Sequence, residues 1–397
     1  MTTVSGPAGW PALQYEARPW HIDPNAYGSR NQKRLASGPY QAALPPAIAQ
    51  LSVPLDGELV ALTEEAAAEL ARFDGEFGQI TAPFASILLR TESASSSEIE
   101  NLTSGAGQIA LAELGERAPK NAQLVVANVR TMQAALELSD DLTGEAILHM
   151  HRALLEHSDP EIVGHWRDQQ VWIGGGNLGP HTAHFVPPHH EHVPALIDDL
   201  MVFANRTDLP RLAQTAIAHA QFETIHPFPD GNGRVGRALI QAMLRASQLT
   251  RNVTVPVSAG LLQNTGRYFE SLSAYREGDV APIVRAIAEA SFAAVHNGRL
   301  LVADLEAVRQ GWSERITARR DSAAHRLADV LLRQPVLDAA TAAEQLGVSG
   351  VNAQVAIDRL VDAGVLAQLT AGRRNRIWQA SEVLSALDKF GARARRQ

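Results

Sequence analysis

The segment from residue 226 to residue 237, HPFPDGNGRVGR, combines glycines and reactive side chains at spacings suited to phosphate chemistry. Gly231 and Gly233 flank Asn232 at the point where a helix is predicted to begin. The first backbone N–H groups of a helix have no partner within it, so they face whatever lies in front of the helix. A glycine-containing turn at a helix N-terminus is therefore a predicted phosphate site.

Four side chains around this turn would complete a site for phosphoryl or nucleotidyl transfer. Arg234 and Arg237 are three residues apart, hence on one helix face, and can bind further phosphate oxygens. Asp230 is a hard carboxylate suited to Mg²⁺ shared with phosphates, and His226 can accept a proton near neutral pH. The structural alternative is a tight turn capped by Asp230 with solvated arginines. The combined spacing favours the catalytic interpretation.

The elements that must position these residues are predicted to be mainly α-helical. Ala is abundant and β-branched runs are few. Residues 170–188, QVWIGGGNLGPHTAHFVPP, break the pattern with two β-prone runs around a Gly-rich turn, which predicts a hairpin. Apolar residues recur at helical spacing near 54–74, 84–90, 98–103, 122–138, 144–155, 211–225 and 232–249.

The last 75 or so residues predict a winged helix-turn-helix: helices at 325–334, 341–346 and 351–363, then two β-prone runs that form a wing. The wing and tail are basic, with Arg373, Arg374 and Arg396 among their cations. The helix that would read DNA offers few suitable contacts, namely Asn352, Gln354 and Arg359. We therefore favour docking of a target or a second copy over DNA binding, which stays open as an alternative.

The amino-acid composition limits the classes of function that this chain can have. A chain of 397 residues predicts two or three structural units, and 45% hydrophobic with 20% charged residues is typical of globular protein. A net charge of −8 argues against a general nucleic-acid coat. There is no cysteine, hence no disulfide or thiolate metal site. No basic leader or long apolar run is present, so we expect a cytoplasmic protein with no membrane segment.

The twelve-residue segment resembles the Fic family motif, His-x-Phe-x-Asp/Glu-Gly-Asn-Gly-Arg-x-x-Arg, at every fixed position. The hairpin ending in Phe185-Val-Pro-Pro188 is similar to the flap of that family, and Asn264 to Tyr268 resembles the stretch that closes over the adenosine. The resemblance covers roughly residues 85–295. It implies a Fic-type helical bundle with a β-hairpin flap.

The resemblance also implies a reaction, protein adenylylation. In this family the motif histidine deprotonates a Ser, Thr or Tyr hydroxyl, which attacks the α-phosphorus of ATP, and pyrophosphate leaves. That role would fall to His226, while Asp230 would hold Mg²⁺, or Mn²⁺ in its place, and Phe228 would anchor the loop. The predicted nucleotide contacts are Gly231, Asn232, Gly233, Arg234, Arg237, Asn264 and Tyr268.

The predicted flap has a physical role in target binding. A hairpin edge carries unpaired N–H and C=O groups and can align an extended peptide by strand addition. The expected contacts are Val171, Trp172, Ile173 and Gly174. The alternative is a hairpin that only packs on its neighbours.

A second motif predicts an internal inhibitor. Residues 95–101, SSSEIEN, resemble the family's inhibitory pattern Ser/Thr-x-x-x-Glu-Gly/Asn, with Ser96 first and Glu100 as the acid. In the family this glutamate pairs with the second motif arginine, here Arg237, and obstructs the γ-phosphate. The structural alternative is a capping box, from Ser97 to Glu100 or from Ser95 to Glu98.

These observations predict three segments: an N-terminal wrapping and helical segment at 1–84, a Fic catalytic domain at 85–300 with its inhibitory helix near 95–103, and a winged helix at 320–397. The predicted partners are ATP and a protein hydroxyl, which could be the chain's own, and relatives often form homodimers. Two alternatives stay open. One is a nucleotide-sensing DNA-binding regulator, and the other is an enzyme that removes AMP or transfers another phosphate-containing group.

Overall fold

The computed structural model describes residues 9–22, 25, 27–78, 83–370 and 375–395. Over these residues the protein is mainly helical, with small antiparallel sheets. In the first half of the chain the elements are β1 (Gln14–Arg18), α1 (Arg30–Leu35), β2 (Tyr40–Leu44), α2 (Gly57–Gly78), α3 (Pro83–Ile99), α4 (Ala106–Glu113), α5 (Lys120–Glu137), α6 (Gly144–Leu155) and α7 (Val193–Ala204). In the second half they are α8 (Arg211–Ile225), α9 (Asn232–Ala246), α10 (Val257–Leu262), α11 (Thr265–Arg276), α12 (Ala281–Arg315), α13 (Ala323–Arg333), β3 (Val336–Asp338), α14 (Ala339–Leu346), α15 (Gly350–Asp362), β4 (Ala367–Gln368), β5 (Ile377–Gln379) and α16 (Ser381–Ala394).

The chain divides into two compact units. The first comprises residues 1–67, 133–247 and 266–288, and the second comprises 68–132, 248–265 and 289–397.

Helices α8 and α9 form the centre of the first unit. Every residue of α8 from Leu212 to Ile225 is buried, because α7 and α9 pack along it. The Pro-Phe-Pro sequence at 227–229 cannot continue a helix, so the chain turns there and α9 begins at Asn232. The expected helix boundaries on either side of the motif are thus confirmed.

The described N-terminal residues up to position 67 belong to the first unit. Trp10 is buried with its ring 6.4 Å from Phe203 and 6.1 Å from Tyr275. Strands β1 and β2 pair antiparallel in this segment, and the sequence reading did not anticipate them. The N–H of Ala43 in β2 donates to the carbonyl of Val186, 3.1 Å away, which joins the strand to the end of the flap segment.

In the second unit, α3 is one continuous helix where the sequence pattern indicated two. It ends at Ile99, so the expected helix at 98–103 is wrong. Its serines do not interrupt it, because the hydroxyl of Ser97 bonds back to the carbonyl of Ser93, 2.9 Å away. The buried Glu92 carboxylate accepts from the N–H and hydroxyl of Ser258, at 2.8 and 2.7 Å, and so fixes α3 to the start of α10.

The C-terminal part of the second unit has the three expected helices, α13 to α15, followed by the expected β-hairpin. Strand β3, not anticipated from the sequence, completes an antiparallel sheet of order β3-β5-β4. This order of helices and strands is the one expected of a winged helix-turn-helix. The assignment to that fold stays a prediction. Of the basic residues noted in the wing and tail, Arg373, Arg374 and Arg396 lie outside the described residues.

Within the described part of the chain, no helix is both long enough and apolar enough to cross a bilayer.

Candidate active site

His226 occupies the position that ends α8 and opens the predicted catalytic loop. Its backbone is left-handed, with φ of 51° and ψ of 62°, a conformation that costs a residue with a side chain about 1–2 kcal/mol. Two backbone contacts hold it there. Its N–H donates to the carbonyl of Phe222, 2.9 Å away, and its carbonyl accepts from Nε of Arg167 at 2.8 Å. The tertiary structure thus holds the backbone of His226 in a conformation that the residue would not adopt by itself.

Asn232 closes the loop from the other side. Its Oδ1 accepts from the N–H of Phe228 at 2.9 Å, and its Nδ2 donates to the carbonyl of the same residue at 2.8 Å. Phe228 is fully buried and stacks on His151, with ring centres 3.7 Å apart, as expected of a loop anchor. The side chain of Asn232 therefore fixes the loop, and contact between its backbone N–H and a phosphate stays a prediction.

Gly231 is the residue before α9, and only glycine fits it. Its φ of 82° is left-handed, and a Cβ there would lie 2.8 Å from Cδ2 of Leu154 on α6. This close approach brings α6 up to the N-terminus of α9. Gly233 follows in the first turn of the helix and is half-buried between buried neighbours.

The two motif arginines are buried in α9. Arg234 is 3% exposed and Arg237 is 2% exposed. Arg234 approaches Oδ2 of Asp230 at 3.3 Å, and the side chain of Asp230 is 64% exposed. The two buried guanidinium groups lie beside the N-terminus of α9; we call them together the positive site, and Asp230 is the carboxylate at its outer end.

The environment of His226 keeps its imidazole neutral. Burial of the ring, together with the guanidinium groups of Arg167 and Arg276, lowers its pKa to about 3. A hydrogen bond between the ring and the backbone of Glu223 acts in the opposite direction and raises the pKa. At neutral pH the ring is therefore uncharged and has one unprotonated nitrogen that can accept a proton.

Two family models match parts of this chain, and one of them covers the site. The Fic/DOC family model matches residues 141–244, and the Fic/DOC family N-terminal model matches residues 60–137. The matched region is a Fic domain.

Curated relatives of the Fic domain carry the name of an AMP-transferring enzyme. Protein adenylyltransferase fic-1 of Caenorhabditis elegans is 31% identical over 159 residues, which are 39% of this chain and 28% of the relative. Protein adenylyltransferase Fic of Drosophila melanogaster is 31% identical over 164 residues, 41% of this chain and 30% of the relative. The matched region thus spans less than a third of the length of either relative.

A solved structure shares the fold. A Fic family protein from Desulfovibrio desulfuricans G20 superposes with a TM-score of 0.51 at 22% identity, covering 85% of this chain and 98% of that one. The mainly helical architecture expected from the sequence is confirmed.

Three buried side chains that support the Fic motif escaped the sequence reading. Arg167 binds the carbonyl of His226, and His151 approaches the carbonyl of Asp230 at 3.2 Å. His219 on α8 approaches the carbonyl of Gly236 on α9 at 2.9 Å. A Cβ on Gly236 would lie 2.7 Å from the carboxylate of Glu223, so the two helices cross closely here. No local pattern marks these residues, because each acts across 17 or more positions of the chain.

The predicted adenosine contacts lie in different units. Tyr268 is buried on α11 in the first unit, and its hydroxyl lies 2.7 Å from Nε2 of His219. Asn264 belongs to the second unit, where its N–H donates to the carbonyl of Leu261 at 3.2 Å. Their contact with a nucleotide stays a prediction.

The flap is closed by a single bridge between Ile173 and Phe185, whose N–H and carbonyl are 2.9 Å apart. Trp172 packs edge-on against Trp20 of the N-terminal segment, with ring centres 5.4 Å apart. Of the predicted target contacts, Val171, Trp172 and Ile173 are half-buried and Gly174 is exposed. Their role in binding a target stays a prediction.

The predicted inhibitory residues lie at the end of α3. Ser96 is buried inside the helix, and Glu100 follows its last residue, with its N–H donating to the carbonyl of Ser97 at 3.1 Å. Ser95 and Ser97 lie in the last turns of α3, so the capping-box alternative, which needs a helix start, is wrong. Pairing of Glu100 with Arg237 stays a prediction.

The donor set of the Fic domain suits a metal ion shared with a nucleotide. Among the described residues, no group of three or more His, Cys, Asp or Glu side chains is placed to hold a metal on its own. Asp230 is a single exposed carboxylate beside the positive site. Mg²⁺ is commonly held by one or two carboxylates together with substrate phosphates and waters, so Asp230 fits that use.

Proposed function

We propose that the Fic domain transfers AMP from ATP to a Ser, Thr or Tyr hydroxyl of a protein. The observation that carries the proposal is a neutral imidazole, His226, held at the end of α8 directly before a glycine turn that opens α9. A base and an anion site on one short loop are the two parts that such a transfer needs. The adenylyltransferase names of the relatives support this reaction over other phosphate transfers.

The step conserves atoms and charge as follows. The acceptor hydroxyl gives its proton to the unprotonated ring nitrogen of His226, and its oxygen forms a bond to the α-phosphorus of ATP. The bond from that phosphorus to the bridging oxygen of the β-phosphate breaks. AMP stays on the protein and pyrophosphate leaves with the bonding electrons.

The positive site would bind the charge that moves onto the leaving group. Arg234 and Arg237 are held by burial in α9, so they need little reorganisation when the phosphates bind. Backbone N–H groups of Gly231, Asn232 and Gly233 would face the same phosphates. Asp230 would hold Mg²⁺, which when bound neutralises phosphate charge.

We propose that Glu100 restrains this activity by pairing with Arg237 and obstructing the γ-phosphate. A carboxylate can compete with a phosphate for one guanidinium because both bind it through two oxygens. The position of Glu100 supports this role, because a glutamate at this place does not stabilise helix α3. An acidic residue at a helix C-terminus is disfavoured by the helix dipole, and Glu100 directly follows the end of α3.

We propose that the C-terminal segment docks protein, a target or a second copy, rather than DNA. Helix α15 takes the place of a DNA-reading helix, yet its exposed residues include Val351, at 75% exposure, and Val355, at 46%. Asp358 and Asp362 on the same helix are also exposed and would repel phosphates. Arg359 is the exposed cation among them.

Intact-mass spectrometry after incubation with ATP and Mg²⁺ tests the proposed reaction. A mass increase of one AMP on the chain, or on an added bait protein, supports AMP transfer. Loss of AMP from a previously modified protein would instead favour the reverse reaction. No covalent change in either direction, with ATP bound, would favour the nucleotide-sensing alternative.

A further inference from the structure

Arg167 is a buried cation that binds backbone carbonyls only. It lies in the loop between α6 and the flap and is 2% exposed. Within the described structure it has no carboxylate partner, and its guanidinium donates to four carbonyls. Removing a cation from water costs free energy, and here the dipoles of backbone carbonyls offset that cost. We therefore infer that the buried guanidinium serves to hold these carbonyls in place.

Two of these carbonyls belong to the end of α8. Nε donates to the carbonyl of His226 at 2.8 Å, and Nη2 reaches that of Ile225 at 3.4 Å. The backbone N–H of Arg167 donates to the carbonyl of Pro227 at 2.9 Å. The last carbonyls of a helix have no partner within it, and a cation there also complements the helix dipole. Arg167 therefore holds the left-handed turn that aims the imidazole.

The other two carbonyls lie at the two ends of the flap. Nη1 donates to the carbonyl of Gln169, directly before the flap, at 2.9 Å. Nη2 donates to the carbonyl of Pro188, where the flap ends, at 2.5 Å. One planar group thus joins both ends of the flap to the backbone of His226, with donors in a fixed geometry that a lysine cannot reproduce.

We propose that Arg167 is a positioning residue that sets the imidazole of His226 and the flap in one fixed relation. This assignment rests on the proposed AMP transfer. Arg167 does not contact the phosphates, whose site is formed by residues 230–237. Its loss therefore slows the transfer step and leaves ATP binding intact.

The test uses the full chain carrying Glu100→Gly, to remove the predicted inhibitor, and compares Arg167→Lys and Arg167→Met with the parent. Self-labelling is measured with α-labelled ATP over a range of concentrations, and ATP affinity is measured separately with a fluorescent ATP analogue and Mg²⁺. The matched control is Arg206→Lys. Arg206 follows α7 and donates to the carbonyls of Ala49 and Leu51, at 3.1 and 2.6 Å.

We expect Arg167→Lys to lower the maximal labelling rate about 10- to 100-fold, because small displacements of a reacting group cost that much. Arg167→Met should lower it further, and ATP affinity should stay within about twofold in both. Arg206→Lys should leave rate and affinity near the parent values. The assignment is overturned if Arg167→Lys labels as fast as the control, or if rate and ATP affinity fall together. A parent chain that binds ATP but is never labelled would overturn the proposed function, and this assignment with it.

Discussion

The hydroxyl of Tyr268 lies 2.7 Å from Nε2 of His219, while Nδ1 of the same ring lies 2.9 Å from the carbonyl of Gly236. Burial lowers the pKa of His219 to about 3, so its ring is neutral. Nδ1–H then donates to the carbonyl and Nε2 accepts from the tyrosine hydroxyl. This relay links α11, α8 and α9.

Tyr268→Phe removes one donor from that relay. Nε2 of His219 would remain buried without its tyrosine donor, so we expect the free energy of unfolding to fall by about 1–3 kcal/mol. Urea denaturation measures it. Tyr15→Phe, at an exposed tyrosine, is the control and should change little. Unchanged stability with a large loss of ATP affinity would contradict the structural role and favour the predicted nucleotide contact.

Stability should fall with acid because buried histidines resist protonation. Burial lowers the pKa of His151 to about 4 and those of His219 and His226 to about 3, against 6.5 in the unfolded chain. Between those values the unfolded state binds more protons, so the free energy of unfolding falls as pH drops below about 6.5.

His151→Gln isolates one contribution to that acid sensitivity. Without the His151 imidazole, the decrease in the free energy of unfolding between pH 6.5 and 4 should be smaller by on the order of 3 kcal/mol. Urea denaturation at several pH values measures the difference. His157→Gln, at an exposed histidine, should leave the slope as it is. Equal slopes for the His151 variant and the unmodified chain would show that the ring is charged in the folded state.

Glu100→Gly should raise AMP transfer at least tenfold, because it frees Arg237 for the γ-phosphate. Initial rates of labelling from α-labelled ATP measure the change. Glu116→Gly, at an exposed glutamate between α4 and α5, is the matched control. If both variants label at the rate of the unmodified chain, Glu100 is not an inhibitor.

The full chain should bind duplex DNA only weakly and lose that binding at moderate salt, since the exposed face of α15 carries valines and aspartates. Gel shifts at about 50 and about 150 mM salt measure it, using a mixture of random duplexes. A shift that persists at the higher salt and disappears in Arg359→Gln would contradict protein docking and favour the DNA-binding alternative.

Local sequence signals correctly predicted the bounds of the helices next to the site. Helices α6 and α8 begin and end at the residues expected, because apolar periodicity and the Pro-Phe-Pro interruption act within a few positions. The start of α9 at Asn232 follows from Gly231 in the same way.

The buried side chains that hold the catalytic loop in place could not be predicted from local sequence signals. The bond from Arg167 to the carbonyl of His226 joins residues 59 positions apart, and that from His151 to the carbonyl of Asp230 joins residues 79 apart. In the sequence each is a single polar residue with no partner at helical or strand spacing. Strand β1 was missed for a related reason, since its partner β2 lies beyond helix α1 and no short turn signals the pairing.

Base catalysis by His226 is tested by mass spectrometry of His226→Ala beside the unmodified chain, with ATP and Mg²⁺ present and His157→Ala as the control. General-base catalysis contributes about 10²- to 10⁴-fold, so AMP addition should fall by at least the lower figure while ATP affinity stays unchanged. The control should be modified as fast as the unmodified chain. AMP addition at an undiminished rate in His226→Ala would show that His226 is not the base.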